Sequence, residues 1–211
     1  MDTMDAVRQS EQEREARVPV WRRLREKLPE ILLEAASVVF AVLLALAVDE
    51  WRENRARRAA ASRAQQTIVH EIRANRAELE STRKSNEAGL KRLSVQIQAL
   101  STGRISELTT GLSLAQFSSA AWQAAQSTDA PQLMDFAWLV EAAGVYETQR
   151  VYVQMQNEFL VGVSDIGSVE SDVQRLGVMR RLEGRLHLLQ NISAELLEEY
   201  QELERMPLKL P

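Results

Sequence analysis

Cysteine is absent from the 211 residues, which excludes disulfides, thiolate zinc sites and cysteine nucleophiles without choosing a compartment. Histidine occurs only at positions 70 and 187. His70 and Glu71 are adjacent and diverge around a helix. Glu183 and His187 share a face, but one Glu–His pair is at most half a metal site, and the repeated Glu-x-x-His of a di-iron bundle is missing. No metal or other cofactor is expected. Gly-rich phosphate loops, a Rossmann fingerprint and a Gly-x-Ser-x-Gly elbow are likewise absent, so no catalytic residue is assigned. The net charge is −4 with acids and bases intermixed, which gives no positive field for nucleic acid. Glycine (8) and proline (5) are few, and long stretches lack any helix breaker.

What remains is 45% hydrophobic and 27% charged, a globular balance rich in the helix formers Ala, Leu, Glu, Arg and Gln. The expected fold is all-α. One transmembrane helix continues into a long stalk helix, followed by a three- to four-helix antiparallel bundle.

Residues 31–48 read ILLEAASVVFAVLLALAV, with Glu34 the single charge. At ~1.5 Å per residue they reach roughly 27 Å, enough for a hydrocarbon core of about 30 Å when the flanks snorkel. Trp21, Arg22 and Arg23 before the run, and Trp51 and Arg52 after it, suit the two interfaces. A cleaved signal peptide competes through Ala45-Leu46-Ala47. Its charged leader would be unusually long, and the chain beyond Ala47 is strong helix former. A buried core helix also competes, but no other segment is apolar enough on all faces to surround it. The membrane anchor is therefore favoured, with the bilayer as first partner.

Lys and Arg nearly tie across the span, six on residues 12–30 against five on 49–67. The leader decides the orientation. In VWRRLREKL, Trp21, Leu24 and Leu28 fall on one side and bases around the rest, as in a short helix lying on an anionic cytoplasmic leaflet. Pro29 is expected to break it from the span. The N-terminus is thus placed in the cytoplasm and the large C-terminal part outside.

This region resembles a family of uncharacterised bacterial single-span inner-membrane proteins. The likeness rests on the basic leader Arg22-Arg23-Leu24-Arg25-Glu26-Lys27-Leu28, on Glu34, on Leu43-Leu44-Ala45-Leu46, and on the exit Trp51-Arg52-Glu53-Asn54-Arg55. It covers about 35 residues closely and recurs more loosely over 117–128. The resemblance implies an anchor in the inner membrane and carries no activity.

With about 100° of turn per residue, Glu34, Ser37, Ala41 and Ala45 share a face opposite Leu32, Val39, Phe40, Leu43 and Leu46. Small residues four apart let helix backbones approach closely in lipid. A carboxylate one turn inside the apolar run faces protein, snorkels or is protonated. The face therefore reads as a span-association surface toward a homo-oligomer or a partner membrane protein. The alternative is a lone span whose Glu34 reaches the headgroups.

The remaining boundaries are expected as follows. Residues 1–19 are a polar disordered tail, 20–29 the basic interfacial segment, 30–50 the span and 51–66 a solvated stalk. Residues 67–206 form the bundle and 207–211 a second tail. Within the bundle, Asn75, Thr82 and Asn86 interrupt the apolar seam of the first helix, which makes it a poor long coiled coil but an adequate bundle wall. A loop over 101–111, a helix over 113–126, a helix over 131–161, a turn over 162–167 and a helix over 168–205 follow. Trp122, Trp138, Tyr146, Tyr152 and Phe159 read as core in preference to a pocket lining. The leading functional expectation is a non-enzymatic module that binds another protein or itself. The alternatives are a ligand-sensing helical domain and a membrane-tethered hydrolase.

Overall fold

The computed structural model describes residues 20–104, 112–164, 169 and 171–208, with side chains from residue 32 onward. The expected tail over 1–19, residues 209–211 of the tail expected over 207–211, and residues 105–111, 165–168 and 170 lie outside the described residues. The described residues form α1 (Val20–Ser101), α2 (Ala120–Gln126), a 3-10 turn (Ala130–Leu133), α3 (Phe136–Ser164) and α4 (Asp172–Arg205). No strand occurs among them, so the all-helical class is as expected. The chain divides into two compact units, Met1–Arg55 and Ala56–Pro211.

In the first unit the helix passes through Pro29, against the expected break. A proline removes one N–H and crowds one turn, and the strong helix formers on both sides carry the backbone past it. Every side chain over 32–48 is exposed, with Leu33 at 75% and Phe40 at 68%. This is the one helix among the described residues long and apolar enough to cross a membrane.

In the second unit α1 buries a seam that alternates by four and three: Ala61, Gln65, Ile68, Ile72, Asn75, Leu79, Thr82, Asn86, Gly89 and Leu93. Burial begins at Ala61, so the solvated stretch expected over 51–66 is shorter than its composition suggests. Alanine and glutamine there look polar or neutral in sequence, yet they are small or flexible enough to pack. The last helix starts at Asp172, not 168. Ser171 caps it by accepting the Gln174 N–H at 3.3 Å, while Asp172 and Arg205 complement the helix dipole at its two ends. Its stripe Met179, Leu182, Leu186, Leu189, Leu196, Tyr200 and Leu203 is buried, but Val173, expected on the same stripe, is exposed.

The helix expected over 131–161 is two elements. Pro131 opens the 3-10 turn, and Asp135 then accepts the Trp138 N–H at 3.1 Å and starts α3 afresh. Gly162 belongs to α3 and not to the following turn. A β-carbon there would stand 2.8 Å from Arg185 Nη1 and 2.9 Å from Leu182 Cδ2, so glycine lets α3 and α4 approach.

Polar contacts fix the directions. Thr148 donates to Glu199, Tyr200 to Gln149, and Arg185 to the Glu158 carbonyl, so α3 and α4 are antiparallel. Arg76 pairs with Glu204 and Gln190 donates to the Arg83 carbonyl, which sets α4 antiparallel to α1. Tyr146 donates to Glu71 and Asn75 to Gln149, so α3 runs parallel to α1. Two helices joined by 34 residues can run parallel only if the chain returns between them.

Candidate functional site

That return is made by an extended strap, residues 112–119, where a helix was expected from 113. Its backbone is held by side-chain amides. Asn86 donates to the Ser113 carbonyl at 3.0 Å and accepts the Ser113 N–H at 2.9 Å. Gln156 does the same to Ala115 at 3.1 and 2.9 Å. Asn75 does it to Ser118 at 2.7 and 2.9 Å. An amide side chain presents one donor and one acceptor side by side, so each grips a residue as a neighbouring strand would. The spacing closes. Asn75 to Asn86 is eleven helical steps of ~1.5 Å, roughly 16.5 Å, and Ser113 to Ser118 is five extended steps of ~3.3 Å, the same length.

The strap, not a missing hydrophobic, explains Asn75 and Asn86 in the α1 seam. Asn75 and Asn86 are 3% and 5% exposed, and each would be destabilising if left unpaired. A helix over 113–119 would turn its backbone bonds inward and orphan them.

Glu71 closes the lower end of the strap. Its Oε2 accepts the Ser118 hydroxyl at 2.5 Å and the Ala121 N–H at 3.0 Å, and its Oε1 accepts the Tyr146 hydroxyl at 2.6 Å. Ser119 makes no side-chain cap to α2, so Glu71 supplies the cap from another helix. Burial works to raise this carboxyl. The bonds from Ser118, Tyr146, Ala121 and Trp122 outweigh burial and hold it below the usual glutamate value. Burial, then the bonded carboxylate, pushes the Tyr146 phenol far upward, so it stays a donor. Gln149 extends the network by accepting from Asn75 at 3.0 Å and from Tyr200 at 2.9 Å.

Because α2 is short, both its flanks are open. Toward α1 lies an apolar trough of about 350 Å³ lined by Ala60, Ala64, Ala121, Ala124, Ala125 and Leu133, with Arg57 and Asp129 as its charged members. Toward α3 lies a wider, mixed cleft of about 600 Å³ that includes Trp122, Gln123, Gln126, Tyr146 and Arg150. Of the aromatics expected in the core, Trp138, Tyr152 and Phe159 are fully buried there. Trp122 and Tyr146 are also buried, stacked at 5.2 Å, but they floor the cleft. Burial pushes Tyr152 up to about 12.

The residues expected to mediate span association, Glu34, Ser37, Ala41 and Ala45, are all exposed in the first unit. The Ser37 hydroxyl donates to the Glu34 carbonyl at 2.7 Å. Among the interfacial anchors, Trp51 and Arg52 are exposed and Arg55 sits 5.5 Å over the Trp51 ring. The side chains of Trp21, Arg22 and Arg23 lie outside the described residues. Sequence reading missed Glu71, Gln149 and Gln156 as structural centres. The available signal was polar residues recurring at seam positions with no partner in their own helix. No group of three or more His, Asp or Glu among the described residues is placed to hold a metal ion. Compared with protein-family models, with curated proteins and with solved structures, the chain matches none.

Proposed function

We propose that the chain is a single-span inner-membrane protein with its N-terminus in the cytoplasm and a helical domain outside. That domain is a three-helix bundle completed by the strap. Its role is a non-enzymatic one: it binds its own kind or another membrane protein, with the span as the association element. The observation that carries this is the complete exposure of residues 32–48 within the chain. Lipid suits the bulky side of that helix, but it does not suit Glu34. With Ser37 bonded to its own backbone, the Ser37, Ala41, Ala45 side offers a second helix close approach and no competing polar demand. The resemblance of residues 22–55 to single-span inner-membrane proteins points the same way.

Single cysteines at Ala41 or Ala45 should trap crosslinked dimers in membranes, and at Phe40 or Leu43 should not. Equal trapping on both sides, or none, would remove the association face. A C-terminal reporter active only in the cytoplasm would reverse the orientation. A second reading, a ligand-sensing domain, is favoured by the two cavities flanking α2. A small molecule copurifying with the domain would promote it.

A further inference from the structure

We infer that Glu199 makes the α3–α4 contact an acid-strengthened latch, which tightens the domain when the medium around it turns mildly acidic. Thr148 on α3 donates its hydroxyl to Glu199 Oε1 at 3.0 Å. The other carboxylate oxygen, Oε2, is enclosed and meets no donor among the described residues. The charges that act on it share its sign: Glu195 and Glu202, one turn to either side on α4, and Glu141 on α3. An enclosed carboxylate with one bond and three like neighbours is destabilising when ionised. The cations nearest in register are committed elsewhere. Along α1, Glu204 lies against Arg76 and Gln190 against Arg83, so Glu199 falls at the level between them. Arg73 and Arg76 are held by Glu204, Arg83 by Glu87, and Glu78 accepts the Gln116 N–H. Glu80 pairs with Arg76, and on α3 Arg150 is held by Glu147. Glu198 and Arg205 of α4 are exposed, and the Tyr200 hydroxyl donates to Gln149.

A proton on Glu199 removes the enclosed charge and the three repulsions with it. Burial, reinforced by Glu195, Glu141 and Glu202 against the Thr148 bond, holds this carboxyl above the usual glutamate value. The stability gained by protonation is therefore complete below the ordinary value of 4.5 and is lost as pH rises through the folded value. Glu71 behaves oppositely and gives up its contribution only below 4.5. The two windows do not overlap, so mild acid locks α3 to α4 while the strap keeps its cap. That the domain meets such a medium rests on its outward placement; the latch itself does not.

The test is thermal melting of the full chain in mild detergent at about pH 7.5, 6.5, 5.5 and 4.5, read by circular dichroism. The unaltered chain is compared with Glu199→Gln and Glu141→Gln. Glutamine at 199 keeps an acceptor for Thr148 and removes the charge. Glu199→Gln should melt above the unaltered chain at the highest pH, by about 2 °C or more. That difference should close as the pH falls. Glu141→Gln leaves Glu199 and its Thr148 bond intact. It should give a smaller rise at the highest pH and move the onset of acid strengthening to lower pH, which keeps the test decisive if Glu199→Gln fails to fold. A folded Glu199→Gln that melts at or below the unaltered chain, or a difference that does not change with pH, would overturn the latch. So would a Glu141→Gln chain indistinguishable from the unaltered one at every pH. A C-terminal reporter active only in the cytoplasm would remove the outward placement and leave the latch standing.

Discussion

Glu71→Gln is the sharpest perturbation available, because it changes one atom and every contact around it is known. The carboxylate accepts from the Ser118 and Tyr146 hydroxyls and the Ala121 backbone N–H, and the Trp122 backbone N–H is a fourth donor. In the amide one oxygen becomes a donor. The Ser118 hydroxyl can rotate to accept from it, but the Ala121 N–H cannot. Turned the other way, the amide nitrogen faces the Tyr146 phenol, which must then accept and whose own proton loses its acceptor; either way the variant gives up one buried bond and weakens the remaining ones from charged to neutral. Hydrogen bonds to charged groups contribute about 1.5–3 kcal/mol and an unsatisfied buried donor costs about 1–3 kcal/mol, so a loss of about 3–4 kcal/mol is expected at pH 7. At roughly 2–4 °C per kcal/mol for a chain of this size, the melting midpoint falls by about 6–16 °C.

Circular dichroism melts of the full chain in detergent, taken from pH 7 to pH 3, read both this loss and its pH dependence. The folded carboxyl lies below its ordinary value of 4.5. Its contribution is therefore present above that value and lost as pH falls through the folded value. The gap between the unaltered chain and Glu71→Gln should accordingly be widest at neutral pH and narrow in acid. A gap below about 2 °C at pH 7, or one that stays constant into acid, would refute the reasoning.

Gln156→Ala leaves the Ala115 N–H and carbonyl buried without partners. It should lower stability by about 2–3 kcal/mol and speed hydrogen exchange at the Ala115 amide. In the unaltered chain, the amides of Ser113, Ala115 and Ser118 should exchange slowly although they lie in no helix. Gly162→Ala pushes a methyl against the side-chain ends of Leu182 and Arg185, a cost partly offset by the ~1 kcal/mol of helix propensity that alanine gains, and should lower stability by about 1 kcal/mol or less, measured as a shift in melting midpoint. Arg76→Gln removes the ion pair to Glu204, which is mostly shielded from solvent. It should be destabilising by about 1 kcal/mol, and by less at high salt.

The helical class and the long apolar α1 segment could be read from the sequence because each is written as a run of one kind of residue. The amphipathic stripe of α4 was equally plain from Met179 to Leu203. The strap was not, since Leu114, Phe117, Ala121 and Ala125 have helical spacing and only the partners across the fold decide against a helix. Asn75 and Asn86 looked like defects in a seam until the backbone they hold was in place. Glu71 carried no mark at all: an acid beside a histidine in a polar helix gives no hint of a cap for another element. The split at Asp135 was legible in principle, as an N-cap residue before an apolar turn, but the run of helix formers on either side hid it.

The strap also decides where this chain is free to vary. Asn75, Asn86 and Gln156 touch the main chain of Ser113, Ala115 and Ser118, and every residue type except proline offers the same N–H and carbonyl at those points. The information that specifies the strap is therefore stored in the helices around it. Apart from the Ser113 and Ser118 hydroxyls, which bond to Ser85 and Glu71, its own side chains can drift within the limits of size, but its length cannot. Deleting one residue moves the next backbone pair by ~3.3 Å, about two helical steps, out of register with the amides that hold it.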